Sequence, residues 1–341
     1  MIIGYISYNT TSTNISEAQK NLIMTSSLKL VAKLASTKGE TGMKLKRKIL
    51  EQPFLLSNLV EILEDAENLE QWEAAMVIIA KLCLDEEISQ EIGSFQHIIP
   101  KLIHVFLGRH KSTNTYYDQS LRKVAGEALL KLSMENVNYY SAILEENKYD
   151  LIENLKKMLL EDEYTYVAAS LLRNLRVFYK IILCDPGSSE HLSCSLRVVL
   201  DKMMDAEGKQ LEALIGLALQ IPEHIIDELQ SHRNGAGLAR KLVDTLNSNK
   251  QSLEFPKMRR VIVEMAILIM KSCHDYTTIF KEQGMMEVLS KVERTLKFEK
   301  ELYKEGNRNV FFGKVGVVSG SGEPDLSDLV ANAKKLIDPS A

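Results

Sequence analysis

Cysteine is scarce and unpatterned. Cys83, Cys184, Cys194 and Cys273 are the only four in 341 residues, and no two sit at paired spacing. That excludes a disulfide framework and points to a reducing compartment, with Cys83 read as a small core residue. Aromatic side chains make up only 6% of the chain, with Trp72 the single tryptophan, which argues against a β-sandwich. Apolar runs are short: Ala74 to Ala80 is among the longest, far below the ~18 residues of a spanning helix, and the chain is expected to be soluble. The opening MIIGYISYNTTSTNIS has neither a basic segment nor a long apolar one, so it does not read as a secretion signal. Without secretion, the sequons at Asn9 and Asn14 carry no meaning. Neither sign of charge dominates: a net charge of -4 and a pI near 6.1 give no general pull towards nucleic acid or an acidic membrane.

The motifs of catalysis are missing as well. None of the seven histidines lies in an HExxH, and Gly313-Lys314-Val315-Gly316 lacks the spacing of a phosphate-binding loop. Cys184, His191 and Cys194 surround a turn but lack the close pairs and fourth ligand of a zinc site, and His97 and His104 are too far apart on their helix to share a metal. The acidic clusters at 85–87 and 161–163 adjoin helix ends, where they compensate the positive end of the helix dipole. No catalytic residue, metal, cofactor or small-molecule substrate is therefore expected.

What the chain does have is leucine, isoleucine, methionine and alanine in a helical period. A small residue is followed by large apolar ones four and seven positions later: Ser27, Val31 and Leu34; Ala75, Ile79 and Leu82; Ala125, Leu129 and Leu132; Ala168, Leu172 and Leu175. These three positions form one stripe on a helix, and the small residue lets a neighbouring helix come close. The last stripe residue recurs at intervals of roughly 48, 50 and 43 residues, in the range of helical repeat arrays.

In order, the spacing predicts a disordered leader over 1–16 and a stripe helix over 18–36. A polar link over 37–42, a short helix, a break at Pro53 and an amphipathic helix through Leu56, Leu59 and Leu63 follow. The second unit reads as a stripe helix over 71–84, a short helix from an Asp85 cap to Gly93, a partner helix over 95–107 and a loop over 108–117. The third and fourth units comprise helices over 121–133, 136–145, 151–160, 164–182 and 191–204, with a turn at Asp185-Pro186-Gly187-Ser188. Beyond Gly208 the register loosens: helices are expected over 211–220, 222–230 and 238–246. Glu212 falls where the small residue belongs if Leu219 is aligned with Leu175. A sixth unit covers 257–270, 276–282 and 285–296, with Gly284 as a helix stop. The segment 297–341 is a tail with a Gly/Ser link and a terminal amphipathic helix through Leu326, Leu329, Val330, Ala333 and Leu336, suited to closing the array.

This three-helix grammar resembles the armadillo repeat. Leu172-Arg173-Asn174-Leu175, preceded by Val167-Ala168-Ala169, is similar to the family's third-helix signature, and IFKEQGMMEVLSKV to its first-to-second-helix junction. At a finer grain EQPFLLSNLVEILED, DEYTYVAASLLRNL, DAEGKQLEALIGL and NGAGLARKLVDTLNS resemble a group of plant armadillo-repeat proteins described as brassinosteroid-enhanced. The resemblance implies an all-α, right-handed superhelical solenoid of about six three-helix repeats over 17–296, ending in a capping segment. It implies a non-enzymatic scaffold that binds a protein partner, cytoplasmic or nuclear. Two alternatives stay open: the soluble armadillo portion of a membrane-associated adaptor in a plant signalling pathway, since longer relatives carry hydrophobic segments, or a regulatory subunit of an enzyme. The opening on a third-type helix implies a shortened array.

In armadillo proteins the residue before the final stripe leucine faces a concave groove. By resemblance those positions are Lys33, Lys81, Lys131 and Asn174: three lysines for an extended acidic segment, and an amide for its backbone. The tryptophan ladder by which nuclear-import adaptors hold basic signals is replaced by Lys29, Val77, Glu127 and Ser170.

Overall fold

A computed structural model describes residues 16–37, 39–52, 54–64, 68–83, 98–109, 115–135, 148–161, 163–174, 189–220, 222, 229, 235–248, 257–304 and 324–339. Among them all regular structure is helical, and the chain divides into two compact units between Met158 and Leu159.

The first unit contains α1 (Glu17–Ala35), α2 (Gly39–Leu50), α3 (Leu55–Glu64), α4 (Leu69–Cys83), α5 (Ile98–Phe106), α6 (Thr115–Glu135) and α7 (Lys148–Met158). Helix α1 starts on a capping box: Gln19 N–H donates to Ser16 Oγ at 3.4 Å, and Ser16 N–H donates to the Gln19 side chain at 3.1 Å. Ser16, the last residue of the expected leader, thus belongs to the helix start. The stripe helices α1, α4 and α6 pack successively against one another, with α3 against α4 and α5 against α6. The stripe is what they bury: Ser27, Val31, Ala75, Ile79, Leu82, Ala125, Leu129 and Leu132 are all buried, and Leu34 half-buried. Cys83 is a core residue, as its sequence context predicts; burial pushes its thiol far up from the ordinary range.

The second unit contains α8 (Thr165–Asn174), α9 (Ser189–Asp205), α10 (Gly208–Ala218), α11 (Gly235–Ser248), α12 (Met258–Ser272), α13 (Asp275–Glu282), α14 (Met285–Lys304) and α15 (Leu326–Ile337). Helices α8, α10 and α12 stack in the same manner as the stripe helices of the first unit. Two contacts show that α8 and α10 run in parallel: Lys209 Nζ lies 4.5 Å from the centre of the Tyr166 ring, and Gly216 packs against the Arg173 side chain, seven residues further along both helices. Gly284, with φ +78°, stops α13 as its sequence position predicts. Helix α15 covers α12, α13 and α14 with Leu329, Val330, Ala333 and Ile337, and Lys334 pairs with Glu293 at 2.6 Å. Its covered face is rotated from the expected one, with Leu326 and Leu336 only half-buried. Stacked stripe helices with further helices between them make the fold all-α and armadillo-type.

Two expected loops are shorter than predicted. Helix α2 begins at Gly39, inside the 37–42 link, because Gly42 and Ile49 share a buried face. Helix α6 begins at Thr115, inside the 108–117 loop. The leader up to residue 15, the Asp85 cap and its short helix, the 136–145 helix, Leu175, the turn at 185–188, most of the 222–230 helix and the segment 305–323 lie outside the described residues.

Candidate functional site

The register of α1 against α4 decides whether the predicted lysines form a row. Gln71 Nε2 donates to Asn21 O at 3.3 Å and to Thr25 Oγ1 at 3.2 Å, so the start of α4 stands beside the turn centred on position 23. Lys29 Nζ reaches Glu70 at 2.8 Å across the same seam. From position 23 to 71 the offset is 48, the interval that separates Leu34 from Leu82 in the sequence. The three contacts across this seam have offsets of 50, 46 and 41 residues, a range that includes the 48 between Lys33 and Lys81. Lys131 holds the same place relative to the buried Ala125, Leu129 and Leu132 of α6, the next helix in the stack. Lys33 is exposed; Lys81 and Lys131 are half-buried.

Asn174, also half-buried, belongs to the second unit. Its surroundings differ from those of the lysines. Helix α8 is buried on almost every side and leaves only Tyr166, Arg173 and Asn174 partly open. Arg173 O accepts a hydrogen bond from Gln220 Nε2 at 3.0 Å, and its guanidinium lies beside Glu212. Glu212 Oε2 in turn accepts the Lys257 N–H at 2.9 Å. Arg260 pairs with Glu264 at 2.9 Å on α12. Glu212 and Glu264 thus each stand beside a basic residue of these stripe helices.

The sequence reading missed Glu212 as a functional feature of the stack and recorded it only as a break in register. Its half-burial keeps the carboxyl above the ordinary carboxylate range, since desolvation outweighs the pull of Arg173 and of the Lys257 amide and charge. The close approach that a small residue provides is found one turn later, at Gly216. Of the ladder positions, Lys29 is engaged with Glu70, Val77 and Glu127 are half-buried and Ser170 is buried. Among the described residues no three His, Cys, Asp or Glu side chains converge in a metal-binding group. His97, Cys184 and the side chains of His191 and Cys194 lie outside the described residues. No described helix is long and apolar enough to cross a membrane.

No protein-family model matches the chain. No curated protein matches it either. Among solved structures, an engineered protein (Northeast Structural Genomics Consortium target OR497) aligns over 98% of this chain and 77% of its own length at 14% identity, with a TM-score of 0.52. UNC-45 from Drosophila melanogaster aligns over the whole chain at 13% identity and a TM-score of 0.53, the chain spanning 41% of that protein. A designed armadillo repeat protein aligns over 77% of this chain at 17% identity with a lower TM-score of 0.47. At these identities the likeness is one of fold.

Proposed function

We propose that the chain is a non-enzymatic scaffold whose first unit binds an acidic, extended segment of a partner protein across α1, α4 and α6. The observation that supports this most is the α1–α4 seam, where Gln71 bonds to residues 50 and 46 positions earlier, on either side of the 48 that separates Lys33 from Lys81. Packed helices lie ~8–10 Å apart, so one segment crossing the stack meets Lys33, Lys81 and Lys131 in turn. Three partly solvated ion pairs of about 0.2–1 kcal/mol each confer preference and salt dependence, with tight affinity requiring further contacts. Asn174 lies in the other unit, and its part in holding a peptide backbone is a separate element of the same proposal.

A labelled oligo-glutamate peptide titrated against the full chain should bind with an affinity that falls as salt is raised, and oligo-lysine should bind more weakly. Equal binding of the two peptides, or indifference to salt, would count against the lysine row.

A further inference from the structure

Helix α15 packs on α12 as α12 packs on α10, in the place of a further stripe helix. The two starts lie together: Arg260 Nη1, near the start of α12, donates to Pro324 O, just before α15, at 3.1 Å. Two features set α15 apart from the stripe helices of its unit. The first is how it is held. Seven of ten residues are buried in α8, seven of eleven in α10 and nine of fifteen in α12, but only four of twelve in α15. Its opposite stripe carries Asp328, Asn332 and Lys335, side chains suited to water, so the one-sided hold is written into its own sequence. The second is its tether. Two residues (206–207) join α9 to α10 and nine (249–257) join α11 to α12, whereas twenty-one (305–325) join α14 to α15. A chain of that length reaches up to ~70 Å, so α15 can leave its place while α14 and the helices before it stay in theirs.

We propose that α15 is a displaceable, autoinhibitory occupant of its seat on α12, α13 and α14, and that an amphipathic helix of a partner protein takes its place. The partner's chemistry is read from what the seat accepts from α15. It takes aliphatic side chains at the spacing of Leu329, Val330 and Ile337, a small residue at the place of Ala333, and a basic residue directly after it, where Lys334 meets Glu293 at 2.6 Å. Release leaves the Arg260 guanidinium beside a carboxylate, because it also pairs with Glu264 on its own helix at 2.9 Å. Being tethered, α15 competes with the partner as an intramolecular ligand, at the effective concentration its tether sets. The inference concerns the second unit alone and is independent of the lysine row.

The test uses the full chain and a labelled peptide of the α15 sequence, residues 324–339, with a control peptide carrying Val330→Asp and Ile337→Asp. Made in the chain, the same two substitutions unseat α15 and leave the residues of the seat unchanged. The α15 peptide should bind this double variant at least about tenfold tighter than the wild type, whose own α15 fills the seat, and the control peptide should bind neither. A Lys334→Glu peptide should bind the double variant more weakly than the α15 peptide does. Hydrogen exchange of the wild type reads the same release without any substitution: α15 amides should exchange through an opening that leaves α10 amides protected. Equal binding, or no binding, of the α15 peptide by double variant and wild type overturns the proposal. So do α15 amides that exchange only together with those of α10, and a Lys334→Glu peptide that binds as well as the first. A wild-type dimer in light scattering that the double variant dissolves also overturns it, because the occupant is then α15 of a second copy.

Discussion

Glu212 on α10 accepts the backbone N–H of Lys257 at 2.9 Å, so the start of α12 is capped by a side chain of the preceding stripe helix; Lys257 itself, the N-cap residue, makes no side-chain cap. With Arg173 of α8 beside it, this one carboxylate ties three successive helices of the second unit together.

A pH dependence follows from that position. Burial raises the Glu212 carboxyl above its ordinary 4.5 in the folded chain, so the folded state holds the proton more tightly than the unfolded state does. The contribution of this group to stability is therefore fully present below the unfolded value and is lost as pH rises through the raised folded one. Glu212→Gln keeps an acceptor for the Lys257 amide and removes the charge. Across that window the melting temperature of the wild type should fall relative to Glu212→Gln as pH increases, in paired thermal melts; parallel curves would contradict the assignment.

Two glycines at close approaches should respond differently to alanine. At Gly235 a Cβ would fall on the Tyr276 hydroxyl and ring, a rigid group, so Gly235→Ala should destabilise by about 1–3 kcal/mol, and Tyr276→Ala should relieve part of it. At Gly216 the Cβ would come 3.0 Å from the Arg173 side chain, a flexible chain that can shift. There the helix-propensity gain of about 1 kcal/mol offsets the crowding, and Gly216→Ala should be near neutral. Chemical denaturation of the three variants separates these outcomes.

Helix α15 should protect the helix it covers. Ile337→Ala removes a buried side chain from its packed face and should cost about 2–5 kcal/mol. Hydrogen exchange should show the loss in α12 and α14, against which α15 packs, and leave α1 and α4 unchanged.

The stripe helices were legible in the sequence because their pattern is local: Ala75, Ile79 and Leu82 need only a helical period to share a face. The contacts of Gln71 with Asn21 and Thr25, 50 and 46 residues earlier, lie on either side of the expected interval of roughly 48. Features that depend on a neighbour were not legible. Glu212 broke the stripe pattern because its partner, the Lys257 amide, is 45 residues away. The helical start of α2 at Gly39 was hidden because Gly39, Glu40 and Thr41 are exposed and carry no apolar period, while the buried Gly42 packs on Thr37 just before the helix. For the site, three lysines could be chosen by position, but their unequal exposure could not: Lys33 is exposed, Lys81 and Lys131 half-buried, and that depends on which helices pack beside them.

The affinity of an acidic peptide before and after reversal of Lys33, Lys81 and Lys131 together tests the lysine row most directly. With helicity unchanged by circular dichroism, the triple Lys→Glu variant should lose binding to oligo-glutamate and gain it for oligo-lysine. An unchanged affinity for oligo-glutamate in that variant would contradict the account.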